Sequence, residues 1–489
     1  MTIRMIAGLL SLSMAVSCMM SEDYNAFYDG EFYPSEAGDE GYDDGGDSFD
    51  EIRENPFVKT SENDKSTFSV DADGAAYGYM RKMVNKGSLP QPNSVRIEEY
   101  LNYFTFDYPE PQADAAVAIN GEVGECPWNK AHKLMRLGIK GRSIPVSRFP
   151  KANYVFLIDV SGSMNTSDKL DLLKSGLAML VDNLNPQDRI SIVTYSGTVK
   201  LLLESTLVSQ SSTIKKAISS LAASGSTAGG AAMKMAYEEC LKNYIEGGNN
   251  RVIMGTDGDF NVGVTSTDAI LEMAQDYAAK GIYLTVCGFG TGNLNDSMME
   301  KVSNAGNGTY QYIDSEDELT KVFVNEVSKF FSVANDAKVQ ITFDKEKVDS
   351  YRLIGYENRV LSSEDFENDD KDAGEIGAGQ TVTALYEIIP AEGYGEGSDI
   401  AVFDFRYKDK LGEDSIPLSC NVGEAAATST EFRFAAGVAA YGLTLLDSQY
   451  RGDADFAMAY NLAGQSEYDP HGYRAAFCQL VLKASEIKL

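Results

Sequence analysis

The chain reads as an α/β protein: a domain with a mainly parallel sheet, inserted in a β-rich domain and followed by a helical C-terminal tail. Three observations predict this. Between residues 151 and 334, short and nearly continuous apolar runs alternate with amphipathic segments, the pattern of parallel strands buried on both faces under helices. Strand-like pieces stand on both sides of that block, at 67–150 and 335–428, and from 429 to the end the periodicity is helical. At 489 residues the chain is also too long for one ordinary core.

At the N-terminus, Arg4 precedes "MIAGLLSLSMAVS", an apolar run too short to span a bilayer, with small residues before Cys18. Residues 1–18 thus resemble a lipoprotein signal, with Cys18 as the acylated first residue of the mature chain and its membrane anchor. Ala15 stands where leucine is more usual, and an ordinary export signal with a chance cysteine is the alternative. Residues 19–66 mix Gly, acids and aromatic residues without periodicity and read as a disordered acidic tether. The "SED" behind Cys18 resembles an acidic signal for the outer leaflet of the outer membrane, with a plain acidic linker as the alternative. The expected location is the cell envelope, as an outer-membrane lipoprotein facing the periplasm or the surface.

Within 67–150, "TFSVDAD" reads as a strand and "AAYGYMRKMVNKG" as a helix closed by Gly87. "SVRIEEYLNYF" reads as a helix started by Ser94, and "AVAINGEVGE" and "KLMRLGIKGR" as strands. Trp128 between them reads as a packing anchor, with a ligand-stacking platform as the alternative. The 151–334 block gives strands at "YVFLIDV", "RISIVTYS", "NRVIMGTDG", "GIYLTVCGFG" and "TYQYID", with helices between. Residues 335–428 hold strands alone, expected to join the earlier strand pieces in one sheet system, and 429–489 hold helices.

The formal net charge of -31 repels phosphates and anionic lipid, so no nucleic-acid partner is expected. No nucleotide is expected either. "CGFGTGN" resembles a dinucleotide fingerprint, but Asn293 replaces its third glycine, and no G-x-x-x-x-G-K-[ST] occurs. Two histidines leave almost no material for a zinc site or a His-based triad. Besides Cys18 there are five cysteines, none in a C-x-x-C pair. Cys240 and Cys287 read as small buried hydrophobes, and whether Cys126 and Cys420 pair is open.

Three loops carry the chemistry. "NYVFLIDVSGSM" ends an apolar strand in Asp159 and then places Ser161 and Ser163 in the turn. "SGSTAGG" offers Thr227 just before a helix, and "MGTDGDFNVG" puts Asp257 at the end of a later strand. In a parallel sheet these positions share the carboxyl edge, where ligands gather. A lone D-x-S-x-S is equally a helix cap; joined to Thr227 and Asp257 it makes a cation site. Mg²⁺ prefers near-octahedral oxygen coordination at about 2.0–2.1 Å. Neutral hydroxyl ligands leave the ion's charge incompletely neutralised, so it stays avid for an outside carboxylate. Ca²⁺ and Mn²⁺ are the alternative occupants.

"DVSGS", the loop threonine and "TDG" resemble the metal-ion-dependent adhesion site of von Willebrand factor A (VWA) domains, which have a Rossmann-like fold. "CPWNKAHKLMRLGIKGR", "GGNNRVIMGTDGDFNVGVTS" and "KDAGEIGAGQTVTALYEI" extend the resemblance to the YfbK-type bacterial VWA lipoproteins, from Thr67 to the end. That family carries an N-terminal von Willebrand factor segment, the VWA domain and a C-terminal domain of unknown function. The resemblance implies that Ser161, Ser163 and Thr227 meet the ion through hydroxyls, while Asp159 and Asp257 hold it through waters or orient the serines. The expected function is non-enzymatic: a metal-dependent protein–protein or adhesive contact with a protein or surface ligand presenting an acidic residue. The alternative is an envelope scaffold in which the ion is only structural.

Overall fold

Along the strand Ala152–Asp159 every side chain is buried, because successive residues enter two different cores. Tyr154, Phe156 and Ile158 pack with Leu173, Leu177 and Leu180 of the helix Leu172–Asn183. Val155 and Leu157 pack with Ala232, Met233 and Ala236 of the helix Gly229–Lys242. This two-sided cover is what makes the strands read as unbroken apolar runs. The computed structural model describes residues 46–487 except 72, 226–228, 259–265, 372 and 396.

The sheet of this domain runs in the order Tyr310–Ile313, Ile282–Phe289, Asn249–Thr256, Ala152–Asp159, Arg189–Tyr195, Val199–Leu207. The first five are parallel; the last is antiparallel to its neighbour. Sequence periodicity does not identify this edge strand, whose side chains are mostly half-buried and follow no clean alternation.

The flanking segments pair across the inserted domain. Lys65–Ser69 lies antiparallel to Ser332–Phe343, and Lys133–Gly141 to Thr381–Pro390. They form two sheets, where one sheet system is expected from the sequence. One is Val58–Lys59, Val348–Ile354, Thr381–Pro390, Lys133–Gly141, Val117–Glu125; the other is Val360–Leu361, Lys65–Ser69, Ser332–Phe343, Asp399–Lys408, Ile416–Gly423, with Gly374–Gly377 beside Ser332–Phe343. The fold class read from the sequence therefore holds. The C-terminal helices Thr430–Leu445, Phe456–Ala463 and Tyr473–Glu486 share one core with Ala75–Asn85, Ile97–Asn102 and the buried Trp128.

Two expectations of local structure change. Residues 46–66, assigned to the tether, are ordered against the body. Asp47 Oδ1 accepts hydrogen bonds from the Gly292 and Leu294 N–H groups at 2.6 and 3.0 Å, and Phe49 meets the Tyr79 ring edge-on. Val58–Lys59 adds a strand to the first sheet. Specific backbone bonds and aromatic contacts outweigh charge repulsion there. Ser94 does not start a long helix: its hydroxyl donates to the Gln91 carbonyl, and the α-helix begins at Ile97. All five cysteines among the described residues are unpaired, and Cys240 and Cys287 are buried as expected.

Candidate metal centre

The strand Ala152–Asp159 comes first in its domain, and the chain places later strands on either side of it, Arg189–Tyr195 and Asn249–Thr256. A parallel sheet opens a crevice beyond the strand ends at such a switch point. Both predicted carboxylates arrive there. Asp159 is the last residue of one strand and Asp257 follows the last residue of its neighbour; both side chains are fully buried.

Asp159 shapes the turn that follows it. Its Oδ1 accepts a hydrogen bond from the Ser161 N–H at 2.8 Å, and its Oδ2 one from the Thr256 hydroxyl at 3.4 Å. Ser161 is buried and Ser163 exposed, with their hydroxyl oxygens 3.0 Å apart. Burial pushes the Asp159 carboxyl up to about 6; the Ser161 hydrogen bonds oppose this and the Asp257 charge adds to it. Tyr195, buried in the adjacent strand, has its phenol pushed well up by burial and by the Asp159 charge.

Asp257 has a partner that sequence reasoning did not find. Lys169 Nζ donates to Asp257 Oδ2 at 2.9 Å and to Asn293 Oδ1 at 3.1 Å. Lys169 is 8 % exposed and rises from the turn Ser167–Asp171. Its stem lies against Gly290, where φ is +77° and a Cβ would stand 2.1 Å from Lys169 Cε, so glycine is required there. The other oxygen, Asp257 Oδ1, is buried without a hydrogen-bond partner among the described residues. Asp168, beside Lys169, is half-exposed and pairs with Lys82 at 3.0 Å.

Thr227 and Cys18 lie outside the described residues. The chain leading to Thr227 is tied to the site: the Gly162 N–H donates to the Gly225 carbonyl at 3.0 Å, and the Ser224 N–H to the Val160 carbonyl at 2.7 Å.

These residues fit a divalent cation. Two oxygens on adjacent vertices of a Mg²⁺ octahedron lie about 2.8–3.0 Å apart, which matches the separation of the Ser161 and Ser163 hydroxyls. The orphaned Asp257 Oδ1 is a buried negative oxygen at the end of the adjacent strand. Among the described residues no group of three or more His, Cys, Asp or Glu side chains is arranged to hold a metal ion, so here hydroxyls would have to complete the donor set. Lys169 is an unfavourable charge for a cation here.

Three families match successive stretches of this chain. Residues 43–136 match the von Willebrand factor family, beginning inside the segment assigned to the tether. Residues 153–325 match the von Willebrand factor type A domain, and 328–487 the C-terminal family of the uncharacterized protein YfbK. The chain is 37 % identical over 460 residues to the protein YfbK of Escherichia coli (strain K12), covering 88 % of this chain and 80 % of that one. It is 30 % identical over 211 residues to the inter-alpha-trypsin inhibitor heavy chain H4 of Homo sapiens, covering 41 % of this chain and 22 % of that protein. A solved von Willebrand factor type A structure from Catenulispora acidiphila has a TM-score of 0.43 and 18 % identity, over 74 % of this chain and 88 % of that one.

Proposed function

The chain belongs to the YfbK family of VWA proteins, and from that premise we propose that it is a non-enzymatic, lipid-anchored protein of the cell envelope that uses a bound divalent cation to grip an acidic group on a protein or surface partner. The VWA homology supports a protein–protein interaction or adhesion-type function. The single observation that carries the metal reading is the meeting of two chain-distant buried carboxylates with two serine hydroxyls 3.0 Å apart at the ends of adjacent parallel strands.

In this reading Ser161 and Ser163 would present hydroxyl oxygens to the ion, Asp159 holds their turn in place, and Asp257 would offer Oδ1; Thr227 would be the further donor the family motif supplies. The ion, Mg²⁺ or alternatively Ca²⁺ or Mn²⁺, would supply Lewis acidity toward an incoming carboxylate. A non-enzymatic role is supported by the engagement of Lys169, the amine at the site, with Asp257 and Asn293. The envelope assignment rests on the apolar run ending at Cys18. Among the described residues no helix is long and apolar enough to cross a membrane.

Adding Mg²⁺ to chelator-treated protein should raise the thermal unfolding midpoint, by an amount that grows with the logarithm of the ion concentration above the dissociation constant, since a ligand bound only to the folded state stabilises it. Asp159→Ala should remove that response. An equal midpoint for the wild type in Mg²⁺ and in chelator, with no heat of binding by calorimetry, refutes the metal reading.

A further inference from the structure

The loop 290–296, which follows the strand Ile282–Phe289, packs directly on the metal centre. Gly258, the residue after Asp257, has φ +100°. A Cβ on it would stand 2.6 Å from the Asn295 nitrogen, 2.8 Å from Leu294 Cα and 2.9 Å from the Asn293 carbonyl oxygen. Backbone thus lies against backbone, and a shift of the loop reaches the turn that carries Asp257. The same loop bears Asn293, whose Oδ1 shares the Lys169 ammonium with Asp257.

The two ends of this loop are anchored by the body. At its start the Tyr312 hydroxyl donates to the Gly290 carbonyl, and Lys86 Nζ donates to Thr291 Oγ1 at 3.0 Å. At its end Asn295 Oδ1 accepts from the Met298 N–H at 3.1 Å, capping the helix Asp296–Ala305, and Asp296 pairs with Arg96. The middle is held by a strap at the beginning of the described chain. Asp47 Oδ1 accepts from the Gly292 and Leu294 N–H groups. The Ser48 N–H donates to the Leu294 carbonyl at 2.9 Å, and the Ser48 carbonyl accepts from the Asp296 N–H at 3.3 Å. Leu294 is buried, and both of its peptide groups take their partners from this strap, so without it they are satisfied only by movement toward water. Asp47 is itself fixed: the Tyr79 hydroxyl donates to its Oδ2 at 3.1 Å.

We propose that Asp47 is a positioning residue for the metal centre: its clasp on Gly292 and Leu294 holds the loop against the Asp257 turn, and losing the clasp lowers the affinity for the ion. This rests on the metal reading above. Two effects act in the same direction. A loop free to move no longer fixes the Asp257 turn, so the ion has to order the turn as it binds. The Lys169 ammonium, deprived of Asn293, is left with Asp257 alone and competes harder with the ion for that carboxylate.

The test is calorimetric titration of Mg²⁺ into the full chain and three variants, with thermal unfolding in chelator alongside. Asp47→Ala should weaken Mg²⁺ binding about tenfold, the lower end of what loss of an outer partner costs a metal site. Asp47→Asn, whose amide oxygen still accepts from both N–H groups, should keep an affinity close to that of the wild type. Asp50→Ala is the control on the same strap. It loses the bonds to Ser297 at 2.7 Å and Lys301 at 3.0 Å, outside the loop, and should leave Mg²⁺ affinity unchanged whatever it does to the midpoint. The proposal is overturned if Asp47→Ala binds Mg²⁺ as the wild type does. It is also overturned if Asp47→Asn is as weak as Asp47→Ala, since charge and not the clasp would then be at work, or if Asp50→Ala weakens binding equally, since the strap would then act only through general stability. Failure of the wild type to bind Mg²⁺ is a different result: it refutes the metal reading, and the role given to Asp47 falls with it.

Discussion

Asp257 is a fully buried carboxylate with one oxygen on the Lys169 ammonium and the other without a hydrogen-bond donor among the described residues. Removing one partner of a buried ion pair leaves the other charge uncompensated, at a cost of about 3–5 kcal/mol. Lys169→Met should therefore destabilise the chelator-treated protein by about 3 kcal/mol, because the methionine keeps the stem packed on Gly290 and loses only the charge. The same change removes a cation from beside the metal centre, so Mg²⁺ should bind roughly tenfold more tightly and restore most of the lost stability. Unfolding with and without Mg²⁺, together with calorimetry, checks both halves; weaker Mg²⁺ binding in the variant would show that Lys169 supports the ion instead of opposing it. Asp159, Ser161 and Ser163 are legible in sequence because one short turn contains them. Lys169 is not, since its partners lie 88 and 124 residues away and nothing local distinguishes it from a helix-start lysine.

At the scale of elements, the strands that carry the site announce themselves because both faces are apolar, whereas the half-buried edge strand Val199–Leu207 carries no comparable pattern. How closely the elements approach is also hidden. Gly255, one residue before the end of Asn249–Thr256, has no side chain, and a Cβ there would stand 2.6 Å from Leu173 Cδ2 in the helix Leu172–Asn183. The glycine lets the helix seat against the strand two residues before Asp257, and the turn bearing Lys169 leads into that helix. Gly255→Val overpacks this contact and should cost about 1–3 kcal/mol. It should also weaken Mg²⁺ binding, because helix and strand end carry opposite sides of the site. Gly255→Ala should do less on both counts. Normal Mg²⁺ affinity in a destabilised Gly255→Val protein would separate packing from site geometry and sink the second half of the prediction.

Across the whole molecule, the insertion was legible because strand patterns flank the α/β block, but the seam joining the parts was not. It gathers Asp71, Asp73, Glu98, Glu99, Asp296 and Glu300, all buried, from three stretches of chain, against Arg96 and Arg359. Each acid taken alone in the sequence resembles a surface residue. Burial, with the charges of Glu357 and Asp71 adding to it and Arg96 opposing, pushes Glu98 up to about 8; burial raises Glu357 to about 7. Burial also raises Asp296 to about 6, against Arg96 and with Glu300 and Asp50 adding. Asp73 and Glu99 are pushed up for the same reason. A carboxyl whose folded value is raised contributes stability that is complete below its unfolded value, about 4.3 for Glu, and is lost as pH rises through the folded value. In chelator, the thermal midpoint should therefore fall steadily from about pH 5 to pH 8. Groups held low act in the opposite sense at lower pH: against the push of burial, Lys321 and Lys329 hold Glu326 down to about 2, and that contribution is lost as pH falls below the ordinary Glu range. The optimum should thus lie near pH 5. Glu98→Gln, which keeps the shape and removes the titration, should flatten the alkaline limb and raise stability most at pH 8. A midpoint that is level between pH 5 and 8 in the wild type, or a Glu98→Gln profile parallel to it, would mean that water or cations in the seam compensate these carboxylates in solution.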